Sequence, residues 1–409
     1  MRDAHAKQIS RGQSGIMRSK KKIIITVLVC IILCLLAYFS WKLPFYEFRT
    51  MNLDTGLRKL FSVDYLKTLF PLLIIVALAA VGIVLCIWLR KLVIRFDKDN
   101  SRFTAAHTAK PKGVAPKQKT AVFMVIRWTV MIAFAFIMIF GSLIFGLKMS
   151  SLSIPLLSCP LNSEQMTQTS CYYLSHLNEL FELPLKDILL FIGSTLGFTI
   201  LMGRAVCGFL CPMGLVQDVM DKIRRKTHVE GISMNERLYG YLTPVKWCMV
   251  LIFLGLCFVG GNFCNFCPMV SVSPILAGIS TSLYFSGFLM VFVLIGGFFK
   301  RRLFCSICPL GYLVGLLHKF SLFRIKKDCT ACTECGACYE ACPMGIKMIY
   351  TERGKADVTD ANCIMCGECI RCCPEDNALK MTCAGIKLYA ASRKKVMSGY
   401  EKKESEAGK

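Results

Sequence analysis

Two runs of closely spaced cysteines near the carboxyl end constrain this chain more than any other feature. Each run has the spacing C-x2-C-x2-C-x3-C-P, with Pro343 closing the first run and Pro374 closing the second. This spacing is typical of small domains that bind two 4Fe-4S clusters, in which the fourth cysteine of each run binds the cluster of the other run. The sequence therefore predicts a two-cluster domain of the bacterial ferredoxin kind.

The exchange of fourth cysteines defines two sets of expected iron ligands. The first cluster set is Cys332, Cys335, Cys338 and Cys373, and the second cluster set is Cys363, Cys366, Cys369 and Cys342. Gly336 and Gly367 are expected to let the backbone bend close to the clusters. A zinc ribbon is disfavoured, because its cysteine pairs are separated by a long spacer. The cysteines that fit neither run are expected to be small structural residues: Cys329, Cys372 and Cys383.

The rest of the chain has the composition of a membrane protein. Hydrophobic residues make up 55% of its 409 residues, whereas soluble domains contain roughly 45 to 50%. Apolar runs long enough to cross about 30 Å of hydrocarbon as helices occur at 23–41, 70–89, 122–147, 187–206, 244–262 and 282–299. The predicted fold is an α-helical integral membrane bundle of about six spans with a C-terminal α+β two-cluster ferredoxin domain.

Basic residues predict the orientation of this bundle, because Lys and Arg accumulate in cytoplasmic loops. Residues 90–121 carry nine of them and residues 207–243 carry five, whereas residues 148–186 carry two and residues 263–281 carry none. The loop at 42–69, with five basic residues, fits this orientation least well. We expect a multi-pass protein of the cytoplasmic membrane with both termini in the cytoplasm. These flanking charges account for the net charge of +24, so nucleic acid is not an expected partner.

The same features divide the chain into predicted segments. They are a basic cytoplasmic amino terminus (1–22), a two-helix membrane anchor (23–100), a cytoplasmic linker (101–121), a membrane domain with duplicated Cys-Pro motifs (122–320), a cytoplasmic ferredoxin-like domain (326–383) and a charged tail (384–409).

A short motif with two cysteines occurs twice, each time after an apolar run that leads towards the cytoplasm. The copies are GRAVCGFLCPMGLV at 203–216 and RRLFCSICPLGYLV at 301–314, which align with one residue deleted between the cysteines. This pattern predicts a parallel duplication whose halves build a common site. The four thiols form a third cluster set, which is expected to hold a further 4Fe-4S cluster at the membrane surface: Cys207, Cys211, Cys305 and Cys308.

Other interpretations of the third cluster set stay open. The motif could simply shape a helix exit around inert thiols, since free cysteine behaves as a small hydrophobe. A disulfide is disfavoured, because the cytoplasm keeps thiols reduced. Arg204, Arg301 and Arg302 lie beside the thiols and serve as orientation signals, and they could also offset the negative charge of a thiolate-bound cluster.

A further group of four cysteines is predicted on the opposite side of the membrane. These outer cysteines are Cys264 and Cys267 in GNFCNFCPM, with Cys159 and Cys171 in the preceding outer loop. Three interpretations compete: an outer iron-sulfur cluster, a thiol-disulfide relay, and structural disulfides that join the loops. A structural disulfide suits Cys159 and Cys171, whereas the C-x-x-C pair favours exchange chemistry or a metal.

Other cofactors and a catalytic residue find no support in the sequence. The histidines all lie outside the predicted spans: His5, His107, His176, His228 and His318. No pair of them is placed to bind a haem within the bilayer, and no C-x-x-C-H motif exists for a covalent haem. Neither a G-x-G-x-x-G motif nor a P-loop points to a nucleotide. Arg127 and Asp187, near the ends of predicted spans, are expected at the membrane interface.

The paired Cys-Pro motifs followed by the double ferredoxin run resemble the polyferredoxin-type membrane 4Fe-4S proteins, the family that includes NapH, NosR and CcoG. The resemblance covers roughly residues 187–383. It implies membrane-bound electron transfer through 4Fe-4S centres, usually to or from an extracytoplasmic redox partner. The chain departs from the family in its second motif, which has C-x2-C-P where C-x3-C-P is common, and in having no large extracytoplasmic flavin-binding domain.

Two functions follow as expectations. The first is electron transfer between a cytoplasmic or quinone-pool donor and a redox partner protein in the membrane or beyond it, as a component of an oxidoreductase system of the quinol dehydrogenase kind. The alternative is an assembly or maturation factor, which uses iron-sulfur and thiol chemistry to reduce or deliver a metal to another enzyme. Replacement of Cys264 and Cys267 distinguishes these two functions. If the chain is an assembly factor, maturation of the other enzyme should fail while electron transfer continues. A purely structural iron-sulfur module would instead show no reversible redox transition.

Overall fold

The computed structural model describes residues 63–97, 122–145, 185–232, 236–258, 267–276, 285–352, 354, 356–358 and 360–392. The longer helices are α1 (Val63–Asp97), α2 (Val122–Phe145), α3 (Leu185–Met202), α5 (Pro212–Lys226), α6 (Glu236–Phe258) and α8 (Phe285–Phe299). The short helices are α4 (Ala205–Phe209), α7 (Ser273–Leu276), α9 (Leu303–Ile307), α10 (Pro309–Leu316), α11 (Ala337–Glu340), α12 (Met348–Thr351) and α13 (Glu368–Cys372). Turns of 3-10 helix cover Pro268–Ser271 and Leu317–Phe320.

Five of the long helices overlap five predicted membrane spans, namely α1, α2, α3, α6 and α8. Within the described residues, Leu69–Leu89 of α1 is the one helical stretch that is long and apolar enough to cross a membrane. Shorter apolar stretches lie at Phe123–Ile137, Leu242–Leu256 and Ser286–Phe299. The first predicted span, 23–41, falls outside the described residues. The number of spans and the position of both termini stay predictions.

A three-stranded antiparallel sheet closes the ferredoxin domain. Its strands are β1 (Phe323–Lys327), β2 (Leu379–Cys383) and β3 (Ile386–Ala390), in that order across the sheet. Phe323 pairs with Cys383 and Lys327 with Leu379, so residues on both sides of the cysteine runs are hydrogen-bonded to each other. The predicted α+β ferredoxin domain is confirmed, with strands that begin before residue 326 and continue beyond residue 383.

The two Cys-Pro motifs adopt the same local structure. In each copy a long helix (α3 or α8) is followed by a five-residue helix (α4 or α9) and then by a helix that begins with proline (α5 or α10). Proline suits the first position of a helix, because its amide would have no helical partner there. The preceding residues, Cys211 and Cys308, have nearly equal backbone angles of φ −67°, ψ 118° and φ −61°, ψ 119°. The duplication predicted from sequence is therefore present in the backbone.

The ferredoxin domain and the Cys-Pro motifs share one hydrophobic core. Ala205 of α4 and Cys305 of α9 are buried in the same cluster as Ile364 and Met365, which lie between cysteines of the second run. On the other side of the motifs, α8 packs against α5 and α1. The two domains therefore stabilise each other by apolar burial, which is worth roughly 25 cal/mol per Å² of surface removed from water.

A buried carboxylate joins α5 to two other parts of the helical region. Asp218 is 2% exposed, and its carboxylate accepts from Arg127 of α2 at 2.6 Å. It also accepts from Arg302 at 2.5 Å and from Arg301 at 2.9 Å. Arg127, which is expected at the membrane interface, has a side chain that is 1% exposed and forms an ion pair inside the protein. Its depth relative to the membrane stays a prediction. For Asp187, nothing is described of the side chain.

Candidate metal centres

The first cluster set surrounds a cavity in the ferredoxin domain. All four of its members line this cavity: Cys332, Cys335, Cys338 and Cys373. Cys373 reaches the other three from the second run because α11 and α13 pack together. Burial, and then the neighbouring thiols of Cys373, Cys335 and Cys332, raises the pKa of Cys338 to about 12. Such a thiol keeps its proton at neutral pH until a metal cation takes its place.

The second cluster set is more deeply buried. Cys363, Cys366 and Cys369 are between 5% and 8% exposed. Burial, and then repulsion from Cys366, raises the pKa of Cys342 to about 11. Burial and the charges of Cys366, Cys363 and Cys342 likewise raise the pKa of Cys369. Cys342 of the first run therefore lies close to the three thiols of the second run, as the predicted exchange of fourth cysteines requires.

Two glycines place the short helices that carry these cysteines. Gly336 precedes α11 with φ +75°, and Gly367 precedes α13 with φ +75°. This left-handed backbone conformation costs an L-residue with a side chain roughly 1 kcal/mol or more, but costs glycine almost nothing. The expected bend of the backbone at both glycines is confirmed.

The third cluster set is also brought together, by packing of the two motif copies. Burial raises the pKa of Cys308 to about 12, and repulsion from Cys207 and Cys305 adds to this. For Cys211, burial acts with the charges of Cys207, Cys305 and Cys308 to raise the pKa. Each of the four thiols thus lies within electrostatic range of the others, although the two pairs are about one hundred residues apart in the chain.

Hydrogen-bond donors already point at the sulfur atoms of the third cluster set. The Gly311 amide donates to Cys308 Sγ at 3.4 Å, and Gln217 Nε2 donates to Cys305 Sγ at 3.5 Å. Arg302 Nη1 lies 3.9 Å from Cys305 Sγ. Donors of this kind stabilise thiolates and set the reduction potential of an iron-sulfur cluster. These donors suit a thiolate-bound cluster, and the choice between a cluster and inert thiols stays a prediction.

The thiols of the first cluster set surround a space of the kind that a cluster needs. The cysteines of the three sets are free thiols, and those of the first set enclose a cavity between them. Across the described ranges, no three His, Cys, Asp or Glu side chains converge closely enough to share one metal ion. A cubane cluster takes one thiolate at each of four iron corners, so its ligands surround a space and do not meet at a point.

The second and third cluster sets lie against each other across the domain boundary. The carbonyl oxygen of Ile364 contacts Gly208, which follows Cys207, and the carbonyl oxygen of Ala361 contacts Gly315 of α10. At each glycine a Cβ atom would collide with that carbonyl. An ion pair between Arg301 and Glu368, at 3.0 Å, fixes the same boundary beside α13.

Substitution Gly208→Ala should separate the two domains locally. We expect a loss of about 1 to 3 kcal/mol in stability, because the added methyl overpacks a rigid backbone contact. Amide hydrogen exchange at residues 361–366 should become faster. The matched control is Gly193→Ala in α3, where a Cβ would meet nothing within 4 Å. Unchanged exchange in Gly208→Ala would show that this contact does not hold the domains together.

Most of the outer cysteines lie outside the described residues, namely Cys159, Cys171 and Cys264. Cys267 is described, and it caps the 3-10 turn Pro268–Ser271. Burial raises the pKa of the Cys267 thiol. The choice among an outer cluster, a thiol relay and structural disulfides stays as open as the sequence left it.

Several residues of the sites carry no sequence signal of their own. Gln217, Asp218 and Glu368 contact the motif or the domain boundary, yet each reads as an ordinary polar residue of an amphipathic helix. Cys372, expected to be structural, is 8% exposed and donates to the carbonyl oxygens of Ala337 and Cys369 at 3.3 Å and 3.4 Å.

Known families match the same parts of the chain. A family model described as a 4Fe-4S binding domain matches twice, at residues 187–230 and 282–328, and each match contains one half of the third cluster set. A model described as a 4Fe-4S dicluster domain matches residues 331–379, which contain both ferredoxin runs. The ferredoxin-type protein NapH of Haemophilus influenzae is 31% identical over 208 residues, which are 47% of this chain and 68% of NapH. The chain belongs to the NapH-like polyferredoxin family.

Two other relatives match shorter stretches of this NapH-like chain. An uncharacterized protein of Methanocaldococcus jannaschii is 30% identical over 186 residues, which are 44% of this chain and 72% of that protein. The methylamine utilization ferredoxin-type protein MauN of Paracoccus denitrificans is 32% identical over 143 residues, 34% of this chain and 48% of MauN. The chain thus spans about half the length of MauN. No solved structure matches it.

Membership in the NapH-like family confirms the resemblance predicted from the motifs. The matched domains establish an iron-sulfur protein of the ferredoxin type that binds 4Fe-4S clusters. The repeated match of one family model to residues 187–230 and 282–328 also agrees with the duplication seen in the backbone.

Proposed function

We propose that this NapH-like chain is a membrane electron-transfer protein whose three cysteine sets hold three 4Fe-4S clusters in series. The contact between Ile364 and Gly208 carries this proposal. In this contact, the loop between Cys363 and Cys366 of the second set lies on the short helix α4, which contains Cys207 of the third. A 4Fe-4S cluster supplies a one-electron redox couple when it is bound.

The burial of the cysteines gives the proposed series a direction in space. In the first cluster set Cys335 is exposed to solvent. The second cluster set is buried. The third has cysteines packed against the ferredoxin core and one packed against the core of the long helices. We assign the first set to exchange with a soluble partner. The third set then faces a quinone or a redox protein in or beyond the bilayer.

The chain's own groups prepare these sites for thiolate-bound clusters. Besides the donors to sulfur, Lys300 lies at the boundary near Cys342, where its ammonium donates to the carbonyl oxygen of Pro343 at 2.7 Å. Burial lowers the pKa of Lys300 to about 8, although the nearby Cys342 opposes this shift. Buried positive charge near thiolates offsets the negative charge that such sites carry. We assign this boundary to the cytoplasmic face of the membrane.

Iron and acid-labile sulfide in the anaerobically purified full chain test the proposal. We expect about twelve iron atoms per chain, four for each cubane, and EPR signals that appear on reduction and disappear on reoxidation. A count of about eight would remove the third cluster. Properly folded protein without iron, or with iron that shows no reversible transition, would remove the electron-transfer function.

A further inference from the structure

We infer that Arg204 is the positioning residue of the third cluster set, where its buried positive charge balances the negative charge of the cluster and so sets the cluster's reduction potential. The inference rests on the proposed function, because it requires a cluster at the third set. It goes further by naming one side chain that decides how readily this cluster accepts an electron.

The guanidinium of Arg204 is enclosed beside the thiols. It is 1% exposed, and its Nη2 donates to the carbonyl oxygen of Cys305 at 3.2 Å. A Cβ atom built on Gly311 would meet Arg204 Nη2 at 3.1 Å and Cys207 Sγ at 3.7 Å. The guanidinium and the Cys207 thiol therefore both lie beside Gly311.

The sequence makes room for this side chain in α10. Gly311 and Gly315 lie four residues apart on one face of the helix, and Arg204 occupies the space that side chains there would fill. From this groove Arg204 Nη1 donates at 2.5 Å to the carbonyl oxygen of Ala361, a residue that precedes the second cysteine run. The same guanidinium therefore contacts both the third cluster set and the loop that leads into the second.

Within the described part of the chain, the other arginines near the thiols pair with carboxylates, whereas Arg204 does not. Arg127 and Arg302 share Asp218, and Arg301 contacts both Asp218 and Glu368. Among the residues that the structure describes, no carboxylate lies within 4.0 Å of Arg204, and its Nε has no hydrogen-bond partner.

Among the described residues, the other titratable groups around Arg204 supply no ion pair to it. Lys246 and His318 lie close enough for Arg204 to repel their protonated forms. The carboxylate of Asp360 acts on the same two residues but forms no ion pair with Arg204. A buried cation without a counter-ion is strongly unfavourable. A cluster bound by four thiolates supplies the missing negative charge.

The test compares Arg204→Met with Arg204→Lys in the anaerobically purified full chain. Methionine removes the charge and keeps an unbranched chain, whereas lysine keeps the charge. We expect Arg204→Met either to lose the third cluster, giving about eight iron atoms per chain, or to keep it with a more negative potential. At a fixed solution potential near the midpoint potential of the third cluster in the unchanged protein, the ratio of reduced to oxidised third cluster should then fall at least tenfold. This corresponds to a shift of about 59 mV for one electron.

Arg204→Lys should keep about twelve iron atoms per chain and a potential close to that of the unchanged protein. The matched control is Arg225→Met, since this side chain is 57% exposed and pairs with Asp221. Its charge is screened by water, so the third cluster should titrate as before. EPR-monitored redox titration gives the potential, and the first two clusters serve as internal references.

Each other outcome overturns the inference in a recognisable way. Arg204→Met with unchanged iron content and potential would show that the charge does not matter. Equal losses in Arg204→Met and Arg204→Lys would show that shape, and not charge, is what the site requires. About eight iron atoms in the unchanged protein would instead overturn the proposed third cluster itself, before any variant is compared.

Discussion

Cys366→Ala should abolish electron transfer between a soluble reductant and the membrane partner, with the loss of about four iron atoms per chain. Cys366 belongs to the second cluster set, the middle one of the proposed series. Its backbone amide lies close to Gly208 at the contact with the third set. Removal of this thiol leaves a cubane with three ligands in a buried site. Single-turnover reduction of the third cluster, followed by EPR after rapid freezing, measures the effect.

The control for Cys366→Ala is Cys383→Ala, which removes a thiol in β2 outside all three sets. Both variants lose one sulfur atom from the ferredoxin domain, so a general effect of the substitution would appear in both. We expect Cys383→Ala to keep its iron content and its rate of electron transfer. Transfer that continues in Cys366→Ala after loss of the second cluster would mean that electrons reach the membrane by another route.

Asp218→Asn should destabilise the membrane domain by about 3 to 5 kcal/mol, the usual cost of removing one partner from a buried ion pair. The carboxylate of Asp218 is the shared anion for Arg127, Arg301 and Arg302. Asparagine preserves the shape of the side chain but removes its negative charge. The buried guanidinium groups therefore lose their counter-ion. Arg302 also contacts Cys305 Sγ and the Cys207 carbonyl oxygen, so iron at the third set should fall as well. Thermal unfolding in detergent and iron analysis measure the two effects.

The control for Asp218→Asn is Asp357→Asn, which breaks the partly exposed ion pair with Arg324. An ion pair of this kind contributes about 0 to 1 kcal/mol, so its loss should hardly change the unfolding temperature. Acid gives an independent check. Burial alone would raise the pKa of Asp218, but Arg302 and Arg301 outweigh it and hold that pKa well below its ordinary value. The stabilisation is therefore complete above about pH 4 and is lost as the pH falls through the lowered pKa. Equal stability of both variants would contradict the role of Asp218.

The cysteine spacing made the ligand sets predictable, because cluster binding by short cysteine runs is a local property. A run with the spacing C-x2-C-x2-C-x3-C wraps a cluster with its first three thiols whatever surrounds it. The left-handed backbone at Gly336 and Gly367 follows from the same local requirement. The duplication was visible for a similar reason, since each copy keeps a cysteine before a helix-initiating proline.

The partners of the charged residues were not predictable in this way. Arg127 and Asp218 are 91 positions apart, and Arg204 and Ala361 are 157 positions apart. Hydrophobic periodicity reports which face of a helix is buried, but not which distant helix covers it. This is why the sequence did not predict that Arg127 belongs to a buried ion network. The glycines at 208 and 315 gave no sign of their role, because their constraint is a carbonyl group of another domain.

The sequence by itself determined an iron-sulfur protein of the NapH-like type, with apolar helices and with thiols in sets that suit 4Fe-4S clusters. Spacing and composition suffice for these conclusions, because they depend on residues that are neighbours in the chain. Only the tertiary structure decided that the second and third sets meet at Gly208, that Asp218 pairs with Arg302, and that Arg204 is buried with its Nε unpartnered among the described residues. Those features depend on which surfaces pack together, and burial is what turns an ordinary arginine or glycine into a determinant of the site.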